Sequence, residues 1–156
     1  MPKTKQSVKM TIDETDQKII DSLVENSKLS YRQIAKKLMI SAATVMHRVQ
    51  RLEAIGIIKK YTVNLDYEKL GFDIAVCIDI RVAKGKLFEV ERQIAKLPNA
   101  QAVYDITGAF DAIVIAKFHN RKELDTFVKK IQTYDFVERT ETRLVLNTIK
   151  EGTVQI

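Results

Sequence analysis

The sequence predicts an α+β chain of two units, an all-helical one followed by one that alternates strands and helices. Three observations predict it. Apolar residues recur at helical spacing as far as Ala54 and at strict period two from Ile74 onward. The charge divides at the same place: Met1 to Thr62 holds 12 Lys and Arg against 6 Asp and Glu, whereas Val63 to Ile156 holds 14 of each. The length, 156 residues, suits one ordinary domain or two small ones. The expected boundaries are a basic flexible tail at 1–11, a helical unit at 12–62, a linker at 63–72 and the mixed unit at 73–156.

The first unit reads as three helices. "TIDETDQKIIDSLVEN" offers Thr11 and Asp13 as caps, acidic residues in its first turn, and Ile19, Ile20, Leu23 and Val24 as an inward stripe. "SYRQIAKKLMI" opens with Ser30 and Gln33 at capping-box spacing and turns Ile34, Ala35 and Leu38 inward. Only "MI" separates it from "SAATVMHRVQRLEAIG", so the second and third helices must cross sharply and stay packed. In that third helix Ser41 is the cap, Val45, Val49, Leu52 and Ile55 form the buried stripe, and Gly56 is the stop. "IIKKYTVNL" then reads as a strand or wing, and "DYEKLGFD" as a turn-rich connector.

The second unit starts with "IAVCIDIRV", in which Ile74, Val76, Ile78, Ile80 and Val82 face one way and Asp79 and Arg81 the other. "KLFEVERQIAKL" is a helix stopped by Pro98. "AQAVYDITG" and "FDAIVIAKF" form a hairpin joined at Gly108. "NRKELDTFVKKIQTY" is a second helix, capped by Asn120, and "VERTETRLVLNTI" is a last strand. The order β-α-β-β-α-β is the split βαβ, ferredoxin-like arrangement, with helices on one face of its sheet. The other face must then be polar or find a partner.

Three helices with two tightly joined make a helix-turn-helix, whose second member lies in the DNA major groove. On that reading Arg48 and Arg51 suit phosphate or guanine, and His47 can donate or accept. Ser41 and Thr44 stand at the positive end of the helix, and Tyr31 and Arg32 open the preceding helix beside the backbone. A helix showing two arginines and a histidine is often only a solvated face. The short turn, the basic "KKY" and the divided charge together favour double-stranded DNA as the partner.

The stretch from "IDETDQKIIDSLVENS" through "RQIAKKLMISAATVMHRVQRLEAIGII" resembles the N-terminal half of the Lrp/AsnC family of bacterial and archaeal transcription regulators. The paired Asp13 and Asp16, the "IA" of the second helix and "S..TV..RV.RLE..GII" carry the resemblance. "VYDITGAFDAIVIAKF" and "VERTETRLVL" resemble the family's ligand-sensing domain, so the likeness runs from Ile12 to about Lys150. Many members have glycine before the recognition helix and proline just inside it, where this chain has Met39 and Ala42.

The resemblance implies homodimers formed through the sheet, assembled further into tetramers or octamers, and pseudo-palindromic operators. It also implies a small effector, commonly an amino acid. Carried over by position, the effector residues are Gly108 and Asp111 in "TGAFD" and Thr140 and Thr142 in "RTET". Aspartate can hold an ammonium group, and threonine hydroxyls a carboxylate. The same four also suit a plain hairpin and strand. A chromatin-like DNA-coating protein of low specificity, or a regulatory subunit of an amino-acid enzyme, are the competing readings.

Other chemistry has little support. Cys77 is the only cysteine, and His47 and His119 stand far apart, so no metal-site or cofactor motif is present. No catalytic acid, base and nucleophile set can be assembled, so an enzyme is not expected. The first residues lack an apolar segment of the secretory kind, and no apolar run nears the ~18 residues of a membrane span. A cytoplasmic, nucleoid-associated protein with no membrane partner is expected.

Overall fold

The computed structural model describes residues 12–154, so the basic tail and Thr11 lie outside the described residues. The chain divides into two compact units. Among the described residues, one takes in 12–63 and 151–154, and the other is Asn64–Lys150.

The first unit holds α1 (Glu14–Glu25), α2 (Tyr31–Leu38) and α3 (Ala42–Ala54). Local chemistry sets each start. Asp13 and Ser30 each form a reciprocal capping box, with Asp16 and Gln33 respectively, and the Ser41 hydroxyl accepts from the Thr44 N–H at 3.0 Å. Ile19, Leu23, Ile34, Ala35, Val45 and Val49 form the core, with Ile58 packed against it. Val24, expected inward, is 48% exposed. The stripe turns on Ile19, Ile20 and Leu23, and the next residue lies about 100° further round the helix.

Met39, between α2 and α3, is left-handed with φ +56°, the one non-glycine residue with positive φ among the described residues. The N–H groups of Met39 and Ile40 both reach the Ala35 carbonyl, which closes α2 in the manner of a Schellman turn. Glycine suits this position because it has no Cβ to clash there.

The expected strand in "IIKKYTVNL" is not formed. The Ile57 and Ile58 N–H groups turn back to the Leu52 carbonyl at 2.9 and 3.1 Å, and the Tyr61 hydroxyl donates to Glu53. Residues 59–65 then run without a ladder among the described residues. A period-two pattern supplies the shape of a strand but not the neighbour it must bond to.

The second unit holds β1 (Ile74–Val82), α4 (Leu87–Ile94), β2 (Ala100–Asp105), β3 (Ala112–Phe118), α5 (Arg121–Gln132) and β4 (Val137–Leu144). The sheet order is β2-β3-β1-β4, antiparallel throughout, as the βαββαβ pattern predicts. Val76, Ile78, Ile80, Ala112, Val114, Ala116 and Phe118 face the helices and join Val90, Ile94, Phe127 and Ile131 in one core. β4 ends earlier than expected. Its Leu144 already pairs with Val76 near the start of β1, so residues beyond Val145 have no ladder to join.

The uncovered face was expected to be polar or to find a partner. By register it carries Cys77 beside Ile115, and Asp79 beside Ile113 and Glu141. Asp79, expected on the side away from the apolar stripe, does lie there, yet it is only 3% exposed and accepts a hydrogen bond from Arg143 of β4. The face is therefore mixed: Cys77, Ile113 and Ile115 lie beside the Asp79–Arg143 pair, and Arg81, Arg139 and Glu141 share the same side of the sheet.

Candidate nucleic-acid interface

The side chains singled out on α3 fall into two groups once their partners are known. Arg48 is the most firmly held. Its Nη1 donates to both oxygens of Asp13, at 2.7 and 2.6 Å, and to Asp16 Oδ1 at 2.9 Å. Arg51 donates to the other Asp16 oxygen. Asp16 is fully buried, and its Oδ2 also accepts the Asp13 N–H at 3.0 Å. The start of α1 and the middle of α3 are thus tied by two carboxylates and two guanidinium groups.

The electrostatics follow from this geometry. Hydrogen bonding by Arg48, then by the Asp16 N–H, draws the Asp13 carboxyl down to about 2. Burial pushes the Asp16 carboxyl up, but the Asp13 N–H, Arg51 and Arg48 more than reverse this, and its pKa is lowered. Both aspartates are ionised at neutral pH and favour the positive end of α1.

The outermost stripe of α3 lies elsewhere. Opposite the buried Val45, Val49 and Leu52, at about 100° per residue, stand Ala43, His47, Gln50 and Ala54, all exposed. His47 has no ion-pair partner among the described residues. Gln50 is not among the site residues expected from the sequence, and it shares this exposed stripe with His47, while Arg48 and Arg51 lie on its flank. At the helix start, Ser41 and Thr44 hydroxyls lie 2.8 Å apart and bond to each other. Tyr31 and Arg32 are exposed at the first turn of α2, and Lys36 one turn on extends that basic stripe. Lys18 and Lys37 are paired to Glu14 and Glu25, so among the described residues of this unit the cations without an ion-pair partner are Lys28, Arg32, Lys36, Lys59 and Lys60.

The four expected effector residues lie in the second unit. Asp111 ends the β2–β3 loop, where its Oδ2 accepts the Val82 N–H at 2.9 Å and its own N–H donates to the Ile80 carbonyl. Ala112, Ile80 and Thr140 form one row across β3, β1 and β4. This places Asp111 and Thr140 on either side of β1, about 10 Å apart by strand spacing. The Thr140 hydroxyl accepts from Gln132 at 2.9 Å. Thr142 is exposed on the edge strand, and Gly108 sits in the loop with φ +121°, where a Cβ would meet nothing. One oxygen of Asp111 therefore braces the sheet whatever else it does. No group of three or more His, Cys, Asp and Glu side chains among the described residues could hold a metal, and no described helix is long and apolar enough to cross a membrane.

Comparison with known proteins covers both units. Residues 12–59 match the model of a winged helix-turn-helix DNA-binding domain, and 75–155 that of the Lrp/AsnC ligand binding domain. An uncharacterized HTH-type transcriptional regulator of Pyrococcus furiosus is 45% identical over 91% of this chain and 96% of its own. The HTH-type transcriptional regulator FL11 of Pyrococcus horikoshii is 36% identical over 94% and 97%. Among solved structures, AsnC of E. coli superposes with TM-score 0.87 at 25% identity, over 94% of this chain and 99% of that one. A transcriptional regulator of Neisseria meningitidis in complex with L-methionine superposes at 0.84, also 25% identical, over 92% and 95%.

Proposed function

This chain belongs to the Lrp/AsnC family of transcription regulators, and from that premise we propose how it reads DNA, assembles and responds. It is a helix-turn-helix DNA-binding regulator. The proposed operator is a pseudo-palindrome bound by a symmetric dimer or an assembly of dimers, with half-sites one or more helical turns apart, ~34 Å each. The observation that carries the reading is the outward stripe of α3. Gln50 suits adenine, His47 either a donor or an acceptor edge, and Ala43 a thymine methyl. Tyr31, Arg32, Ser41, Thr44 and Arg51 take phosphates around it. Arg48 acts through Asp13 and Asp16, holding α3 at the angle its readers need.

The proposed dimer face is the uncovered sheet, where Cys77, Ile113 and Ile115 surround the Asp79–Arg143 pair. The proposed effector is an amino acid, the class to which the methionine bound by the Neisseria regulator belongs. Gly108, Asp111, Thr140 and Thr142 are its proposed contacts. The proposed location is the cytoplasm, on the nucleoid.

Selection from random duplex pools, at 50 and 200 mM salt, with and without the twenty amino acids, tests these points together. A regulator contacting six to ten phosphates should lose roughly 10³- to 10⁵-fold in affinity between the two salts and yield a two-fold symmetric motif. The same salt slope without a motif would favour a DNA-coating protein. Gln50→Ala should cost about 1–3 kcal/mol at one position of the motif. Arg48→Ala should weaken all sequences alike, and a position-specific loss there would return Arg48 to the reading set.

A further inference from the structure

A groove of about 440 Å³ lies in the second unit, between the turn that follows α4 and the start of α5. Leu97, Pro98 and Phe127 supply its apolar part, and Lys122 and Lys130 stand along one side with Thr126 between them. The spacing of four puts all three on one stripe of α5. Neighbouring Lys129 is paired to Asp125 at 2.7 Å, but neither Lys122 nor Lys130 has an ion-pair partner among the described residues.

The one carboxylate lining the groove is already occupied on both oxygens. Glu123 Oε1 accepts from the Asn120 amide at 3.2 Å, and Oε2 from the His119 N–H at 3.0 Å. The groove therefore offers two unpaired cations against one hydrogen-bonded carboxylate, a net positive charge, beside an apolar surface. Its volume falls in the range of small-molecule sites.

We propose that this groove binds a small carboxylate with a compact apolar body and no α-ammonium group, of the 2-oxo-acid class. The carboxylate meets the two lysines, and the apolar body covers Leu97, Pro98 and Phe127. The corresponding amino acid has no net charge to set against the net positive groove, and its ammonium group would stand as a third cation beside two others. The site is separate from the row of Asp111 and Thr140. Asp111 precedes β3 and His119 follows it, which sets the two ends about 20 Å apart.

Occupancy also reaches the linker. His119, whose N–H is held by Glu123, bonds through Nδ1 to the Gly71 carbonyl at 2.8 Å and stacks on Phe72 at 3.9 Å between centroids. A ligand against the start of α5 thus presses on the residue that pins the end of the linker.

The test is an amide NMR titration of the full chain with 4-methyl-2-oxopentanoate and, separately, leucine. The expected result is saturable shifts at Asn99, Asn120 and Glu123 with the oxo acid, and at least about tenfold weaker binding of leucine there. Lys122→Gln with Lys130→Gln should weaken the oxo acid by about tenfold or more while leaving melting and affinity for duplex DNA unchanged. Shifts confined to residues 106–111 and 140–142, no saturation by about 10 mM, equal binding of leucine, or an unaffected double variant would each overturn the proposal.

Discussion

Each unit buries one aspartate almost completely, and the two are held in unlike ways. Asp16 is fully buried at the start of α1 and accepts from the Asp13 N–H, Arg48 and Arg51, all within the three-helix unit. Asp79 is equally hidden, on the uncovered face of the sheet, but its side-chain partner is a single arginine from the edge strand, itself largely exposed. Removing a carboxylate from water costs several kcal/mol unless donors replace the water. The helical unit meets that cost with a closed network. The sheet meets it with one pair on its uncovered face, which is where a second copy is proposed to sit.

The largest expected effect breaks the closed network. Asp16→Ala removes half the capping box and the partner shared by both arginines, and should destabilise the helical unit by about 2–4 kcal/mol. Urea unfolding followed by amide NMR in α1 and α3 checks it. An unchanged midpoint there would mean that the clamp adds nothing.

Acid should reach the same network by another route. The carboxyls of Asp13 and Asp16 are depressed in the folded state, Asp13 to about 2. Their contribution is therefore complete above the unfolded carboxylate value of about 3.9 and is lost as pH falls toward 2. An acid titration of the α1 and α3 amides should show loosening in that window. Loss already at pH 5–6 would assign it to some other group.

Arg143→Ala sharpens the contrast. It leaves Asp79 without its partner, but solvent near the edge strand softens the penalty to about 1–2 kcal/mol. On the proposed dimer face it should also weaken self-association, measurable by sedimentation. A variant as stable and as associated as the parent would show that the pair matters to neither.

The smallest effect concerns the turn. Met39 is left-handed and 92% exposed, so its side chain gives little packing in return for the strain. Met39→Gly should raise stability by about 1 kcal/mol, read from the melting midpoint of the helical unit. A loss instead would assign the Met39 side chain a packing role in the free protein.

Much of this was legible in the chain itself. The caps Asp13, Ser30, Ser41 and Asn120 each act on the amide three residues on, so the residue and its neighbours suffice to place them. The βαββαβ order was legible because period two and period 3.6 differ in every window, and the split charge pointed to the helical unit as the one facing a polyanion. The third helix was legible as a helix, but the internal partners of its arginines were not. Arg48 and Arg51 find their carboxylates 32 to 35 positions earlier, a pairing that no local window contains.

By itself, then, the sequence determined the elements, their order, the two units and the family, because each rests on local bonding or on repeated spacing. Only the tertiary structure decided which charges are paired within the molecule and which are not. It likewise decided that "IIKKYTVNL" lacks a strand partner, that Asp79 is buried, and that two lysines flank an unclaimed groove. Those outcomes depend on which distant groups meet, since a charge or a strand edge is satisfied by its neighbour in space.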